Sequence, residues 1–215
     1  MTSLVQLIQP PRIAAWLINL FTPVKEAESI LGDLLEEYSY LASKSGVSFA
    51  RSWYWRQTVK SIAHLFGTGF RVAPWSTIAV VVGGFLLHGF VSGLPDKVLA
   101  AITDGYLAYW SAHFKAYMFF ATDGMLISHL ILQMVVGCVV ALVAKGREMV
   151  ATITLSLVLC GLVGAALVWV AMHGPLDIAW MLSSCAGPVA ILVGGVIVRT
   201  LRSRRSAATA QLSKA

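Results

Sequence analysis

Four stretches of this chain, residues 75–94, 125–144, 149–172 and 178–198, each run for twenty or more residues without an Asp, Glu, Lys or Arg. Crossing the roughly 30 Å hydrocarbon core of a bilayer takes about 20 apolar residues in helical form, so each stretch has the length of a span. Inside lipid, every backbone amide must be satisfied within its own segment, and runs of this length and composition do so as helices. With 58% hydrophobic and 12% charged residues among 215, the chain has too little charge to cover a soluble domain of its size. The expected fold class is all-α: a multi-pass membrane protein with a small helical head followed by a four-helix bundle.

Orientation follows from the basic residues in the short flanks. Arg51, Arg56, Lys60 and Arg71 precede the first span, Lys145 and Arg147 separate the second and third, and Arg199, Arg202, Arg204 and Arg205 follow the fourth. The connection 95–124 carries only Lys97 and Lys115, and the turn after Met172 carries neither Lys nor Arg. Basic loops stay on the cytoplasmic side, so both termini are expected there. The chain divides into a cytoplasmic head (1–72), a membrane domain (73–199) and a basic tail (200–215) expected to be disordered. The net charge of +6 therefore belongs to membrane flanks, which suit anionic lipid headgroups rather than nucleic acid. No basic residue precedes Leu4, and Pro10, Pro11 and Arg12 interrupt the first apolar stretch, so the N-terminus does not read as a signal peptide.

The head reads as three helices. Ile13, Trp16, Leu17, Leu20 and Phe21 have the spacing of a buried helical face. Thr22 stands as an N-cap with Pro23 at the first helical position, and Ile30, Leu31, Leu34, Leu35, Tyr38 and Leu41 continue the apolar stripe to Gly46, which is placed to stop the helix. A third helix starts near Ser48 and runs through Trp53, Trp55, Val59 and Ile62 toward the membrane. The outer connection 95–124 is rich in aromatic residues, among them Tyr106, Tyr109, Trp110 and Phe114. Pro95-Asp96 resembles a helix start there, consistent with a helix lying in the interface.

Three pieces of the head occur in order: Pro10-Pro11-Arg12 with Trp16, then Leu31-Gly32-Asp33-Leu34 with Glu36-Glu37-Tyr38, then Trp53-Tyr54-Trp55-Arg56-Gln57. Together they resemble the permease prefix domain, the cytoplasmic helical module that precedes certain bacterial macrolide-exporter-type (FtsX-like) ABC permeases. The resemblance covers about a quarter of the chain. It implies a bacterial inner-membrane protein connected with export systems. Such permeases carry a large extracytoplasmic domain between their first two spans, and this chain has only the aromatic connection. It also lacks a GxxxxGK[ST] phosphate loop, so it is not the ATPase partner. Transport activity is therefore not carried over by the resemblance.

Two histidines fall within spans, His88 in the first and His129 in the second, each five or six residues from the outer boundary, with Gln133 one turn below His129 and Asp123 at the mouth. Ionisable groups at that depth are functional candidates because desolvation is costly, and paired imidazoles can bind haem or a metal or relay protons. The structural alternative is that each neutral ring hydrogen-bonds to a neighbouring helix. Asp33, Glu36 and Glu37 form an acidic surface that can face the basic stripe Arg56 and Lys60, with His64 a turn further on. Trp53, Trp55 and Arg56 mix aromatic and basic character beside the first span, which favours interfacial anchoring over nucleic-acid binding. These six residues, Asp33, Glu36, Glu37, Trp53, Trp55 and Arg56, are the candidate partner-binding set. Gly89 with Gly93, and Gly161 with Ala165, have the small-xxx-small spacing of packed membrane helices, and Gly83, Gly84, Gly194 and Gly195 add close-approach positions.

Cys138, Cys160 and Cys185 sit in apolar runs as small hydrophobes, with no metal or disulfide spacing. No catalytic motif is present and no cofactor is assigned. The chain thus reads as a non-enzymatic accessory or adaptor subunit in the bilayer, with a membrane-protein partner or a second copy of itself. The alternative is a small transporter or a haem, metal or proton carrier using His88 and His129.

Overall fold

In the computed structural model, residues 9–22, 24–173 and 178–212 are described, and among them every regular element is helical. The order is α1 (Arg12–Phe21), α2 (Val24–Ser45), α3 (Val47–Val72), α4 (Pro74–Ser92), α5 (Leu94–Gly105), α6 (Leu107–Ala112), α7 (Phe114–Phe119), a π-helical turn (Phe120–Gly124), α8 (Met125–Val143), α9 (Glu148–His173) and α10 (Ile178–Leu212). The chain forms two compact units, one of residues up to Pro74 together with those from Thr200 on, the other Trp75–Arg199.

In the first unit, α1, α2 and α3 surround a core of Ala14, Ile18, Leu34, Tyr38, Ala42, Ala50 and Tyr54. Leu34, Tyr38 and Ala42 repeat every four residues on α2, as Ala50, Tyr54 and Thr58 do on α3, so each triplet forms one stripe. The Tyr38 and Tyr54 rings meet edge to face, with centroids 5.7 Å apart and planes at 86°, an arrangement worth about 0.5–1.5 kcal/mol beyond the area buried. The Tyr38 hydroxyl donates to the Gln9 carbonyl at 3.2 Å, and Thr58 satisfies its own hydroxyl on the Tyr54 carbonyl at 2.9 Å. Burial pushes the Tyr54 phenol above its ordinary pKa, so it stays neutral at physiological pH. Gly46 ends α2 with φ of 88°, a left-handed conformation that glycine adopts without a Cβ clash.

The buried face of α1 differs from its apolar spacing. Ile13 is 65% exposed and Trp16 45% exposed, whereas Ala14 and Ile18 are fully buried. Two tyrosine rings already fill the space between α2 and α3, so the helix that covers them presents a small residue at the contact. For the same reason Leu35, Trp55 and Val59 face outward. The Thr22–Pro23 cap lies partly outside the described residues, since Pro23 is not among them; Thr22 is buried and its amide bonds back to the Ile18 carbonyl.

Four helical stretches are long and apolar enough to cross a membrane: Pro74–Gly105, Phe114–Val143, Glu148–His173 and Ser184–Arg205. The first two are longer than the charge-free runs because the connection expected at 95–124 is itself helical. Pro95 sits at the start of α5, where its missing N–H costs no hydrogen bond, and Gly93 before it stays near helical geometry (φ −88°, ψ −3°). At the other end, α10 continues through Leu212, so the segment from residue 200 expected to be disordered is helical over most of its length. Its Ala, Arg, Gln and Leu residues are good helix formers, and they extend a helix already nucleated in the last span.

The second unit is built on close backbone approach between α8 and α10. A Cβ placed on Gly137 would overlap the backbone of Ile191, and one on Gly194 would overlap the Met134 carbonyl and the Cys138 amide. Cys138 Sγ donates weakly to the Gly194 carbonyl at 3.5 Å. On α4, Gly84 faces Val140 and Leu155, and on α10, Gly195 faces the Thr152 side chain. Val81, Val136, Val140, Ala151, Leu155, Leu159 and Ile191 complete the interior. Gly89, Gly93 and Gly161 have open space around them, so the small-residue pairs read from spacing do not make the packing within this chain.

Tyr54→Ala is expected to destabilise the head by about 3–5 kcal/mol, the usual cost of truncating a buried aromatic ring, and to raise limited proteolysis within residues 12–72. Gly137→Leu is expected to lower the thermal midpoint of the detergent-solubilised chain, whereas Gly89→Ala and Gly161→Ala leave it unchanged or raise it slightly.

Candidate functional site

Polar side chains of α4, α8 and α9 and a backbone carbonyl of α10 lie inside the second unit. His88 on α4 and Gln133 on α8 lie with Nδ1 and Oε1 2.7 Å apart. With the amide oxygen as acceptor, the imidazole donates from Nδ1 and keeps its lone pair on Nε2. Gln133 is fully buried, and its Nε2 has no hydrogen-bond partner among the described residues. Its Cγ lies beside Gly187 of α10, and the next residue, Pro188, offers its carbonyl to the buried Ser156 hydroxyl of α9 at 2.8 Å. A buried amide donor left without an acceptor costs about 1–3 kcal/mol, which makes this a place where the packing leaves chemistry unsatisfied.

At ~1.5 Å per residue, His88, Gln133, Ser156 and Pro188 lie roughly 12–21 Å along their helices from Pro74, Val143, Glu148 and Arg199. His129 does not meet His88. It is half-buried and has no hydrogen-bond partner among the described residues, and the position opposite His88 is taken by Gln133, four residues further along the same helix. Asp123 is exposed on the π-helical turn. Among the described residues, no three His, Cys, Asp or Glu side chains converge as a metal site.

A second polar site closes the basic end of this unit. Arg199 Nη1 and Glu148 Oε2 are 4.0 Å apart, with side chains 8% and 4% exposed. Glu148 Oε1 also accepts the Gly146 amide at 3.1 Å across the turn that Gly146 makes with φ of 83°. Standing in the first turn of α9, the carboxylate further benefits from the positive end of the helix dipole. Arg147 Nη1 reaches the Ser76 hydroxyl at 3.2 Å, linking this turn to α4. Spacing within a segment does not reveal the Glu148–Arg199 pair. The available signal is topological: Glu148 is the one acid of its short loop, and Arg199 is the first base after a span that returns to the same side.

In the first unit the acids are segregated. Glu26, Glu28, Asp33, Glu36 and Glu37 are every acid between residues 1 and 72, and all lie exposed on α2. Asp33, Glu36 and Glu37 form no ion pair with Arg56 or Lys60 among the described residues, so the expected docking of α2 on α3 by charge does not occur. The two helices are joined by their tyrosines, which sit on the faces opposite those charges. Trp53 is half-buried against the core, Trp55 is 39% exposed, and Arg56, Lys60 and His64 are exposed.

No family model, curated protein or solved structure matches this chain.

Glu148→Gln and Arg199→Gln are each expected to cost about 3–5 kcal/mol, because either leaves a buried charge without its partner. The double variant Glu148→Met/Arg199→Met is expected to lose less than either single change in thermal unfolding of the solubilised protein.

Proposed function

We propose that this multi-pass membrane protein is a non-enzymatic accessory subunit whose head binds a partner protein through the acidic face of α2. The observation that carries the reading is the exposure of Asp33, Glu36 and Glu37 with no ion pair to Arg56 or Lys60. A row of carboxylates held on a rigid, well-packed helix complements a basic surface, and such complementarity sets partner choice and association rate. The prefix-like pieces between Pro10 and Gln57 support an export system as the setting. On the same reading the protein resides in a bacterial inner membrane, and the basic flanks support a cytoplasmic head and C-terminus.

The His88–Gln133 hydrogen bond favours a second reading, a small carrier. There His88, its tautomer held by Gln133, offers Nε2 to a ligand or proton. This version rests on one histidine, since His129 stands apart.

Capture of cross-linked complexes from native membranes separates the readings. Asp33→Lys/Glu36→Lys/Glu37→Lys is expected to lose the partner that wild type retains, while His88→Ala keeps it. Retention of the same partner by the triple variant would sink the adaptor reading. A pH-dependent activity abolished by His88→Ala alone would move the assignment to the carrier.

A further inference from the structure

α3 contains no acidic residue over its twenty-six positions, and its solvent face mixes two kinds of side chain. Arg56 and Lys60 are exposed, and beside them stand Trp55 (39% exposed) and Val59 (63% exposed). The opposite face, Ala50, Tyr54 and Thr58, is the buried one, so packing of the head core turns this stripe outward. Among the described residues its bases form no ion pair with the head's own acids, which all lie on α2. Basic and apolar residues interleaved on one helical face, without acids, are the pattern of a helix lying in the interface of an anionic membrane.

The chain's continuity points the same way. α3 ends at Val72, and after Ala73 the first spanning helix begins at Pro74. Lys60 lies twelve residues before Val72, which is ~18 Å along a helix axis, and Arg56 lies ~24 Å away. A Debye length at physiological salt is about 8 Å. These bases therefore feel a lipid surface only when α3 runs along it.

We propose that the face of α3 formed by Trp55, Arg56, Val59 and Lys60 docks on anionic phospholipid headgroups, with Trp55 and Val59 entering the interface. The bases supply attraction to the lipid phosphates, and the two apolar side chains supply depth. The acidic α2 face then points into water, free for a protein partner. This surface and the α2 reading stand on separate residues, so failure of one leaves the other intact.

Photo-cross-linking of the full chain in nanodiscs tests the docking. A benzophenone-bearing amino acid replaces Val59, and in a control replaces Glu36. In discs containing phosphatidylglycerol, the residue-59 probe is expected to yield lipid adducts that fall in pure phosphatidylcholine and at high salt, while the residue-36 probe yields none. Arg56→Gln/Lys60→Gln is expected to lower the docked-to-undocked ratio by roughly 25-fold, taking about fivefold per base removed. The adduct at 59 should fall with it, while the solubilised protein keeps its thermal midpoint. A cross-linked dimer in place of a lipid adduct would show that a protein covers this face and overturn the proposal. So would an absence of adducts, or adducts equal in both lipids and unmoved by the double glutamine variant.

Discussion

In a bilayer, lipid tails are as apolar as leucine, so burying a hydrophobic side chain against another helix gains little over leaving it in lipid. What holds the membrane unit together must be contact closer than lipid allows. That contact is the backbone approach of α8 and α10 at Gly137 and Gly194, where a single added methyl group would meet carbonyl or amide atoms. Gly195 against Thr152 and Gly84 against Val140 then bring α9 and α4 to the same axis. The polar contacts depend on this seam. Ser156 reaches the Pro188 carbonyl, and Gln133 lies beside Gly187, because α10 is already drawn in against its neighbours.

Around that seam, polar groups are placed where their loss would be costly. The Glu148–Arg199 pair fixes where α9 begins relative to the end of the last span, and the turn at Gly146 feeds a second hydrogen bond into the same carboxylate. The His88–Gln133 contact ties α4 to α8. Unlike the ion pair it is incompletely satisfied, with the Gln133 amide nitrogen lacking an acceptor among the described residues. An apolar pair would pack there without that penalty, so the polar pair gives this level of the bundle chemical character at some expense in stability.

The head follows different rules because none of its described helices is long and apolar enough to cross a bilayer. Its core is a pair of tyrosines in edge contact, framed by alanines on all three helices. With the rings inside, Trp16, Trp55 and Val59 are outside, and the charges sort by helix: acids on α2, and on α3 an outward stripe of bases. The result is a module with two unlike faces rather than one self-neutralising surface. The proposed protein partner on α2 and the proposed lipid surface on α3 would use both.

Much of this was legible in order along the chain. Charge-free runs marked the four spans, since the hydrocarbon thickness sets a minimum length that few soluble segments meet. Gly46 marked the end of α2 through its tolerance of positive φ, and the Leu34–Tyr38 stripe marked that helix's inner face. These are local properties, decided within one or two turns. Tertiary structure decided which equivalent-looking residues make close contacts: Gly137 rather than Gly89 or Gly93 at a helix crossing, Gln133 rather than His129 against His88, Ala14 rather than Trp16 in the head core. Periodicity places such residues on a helix, but the rotation of each helix about its own axis depends on the side chains it meets from elsewhere in the chain.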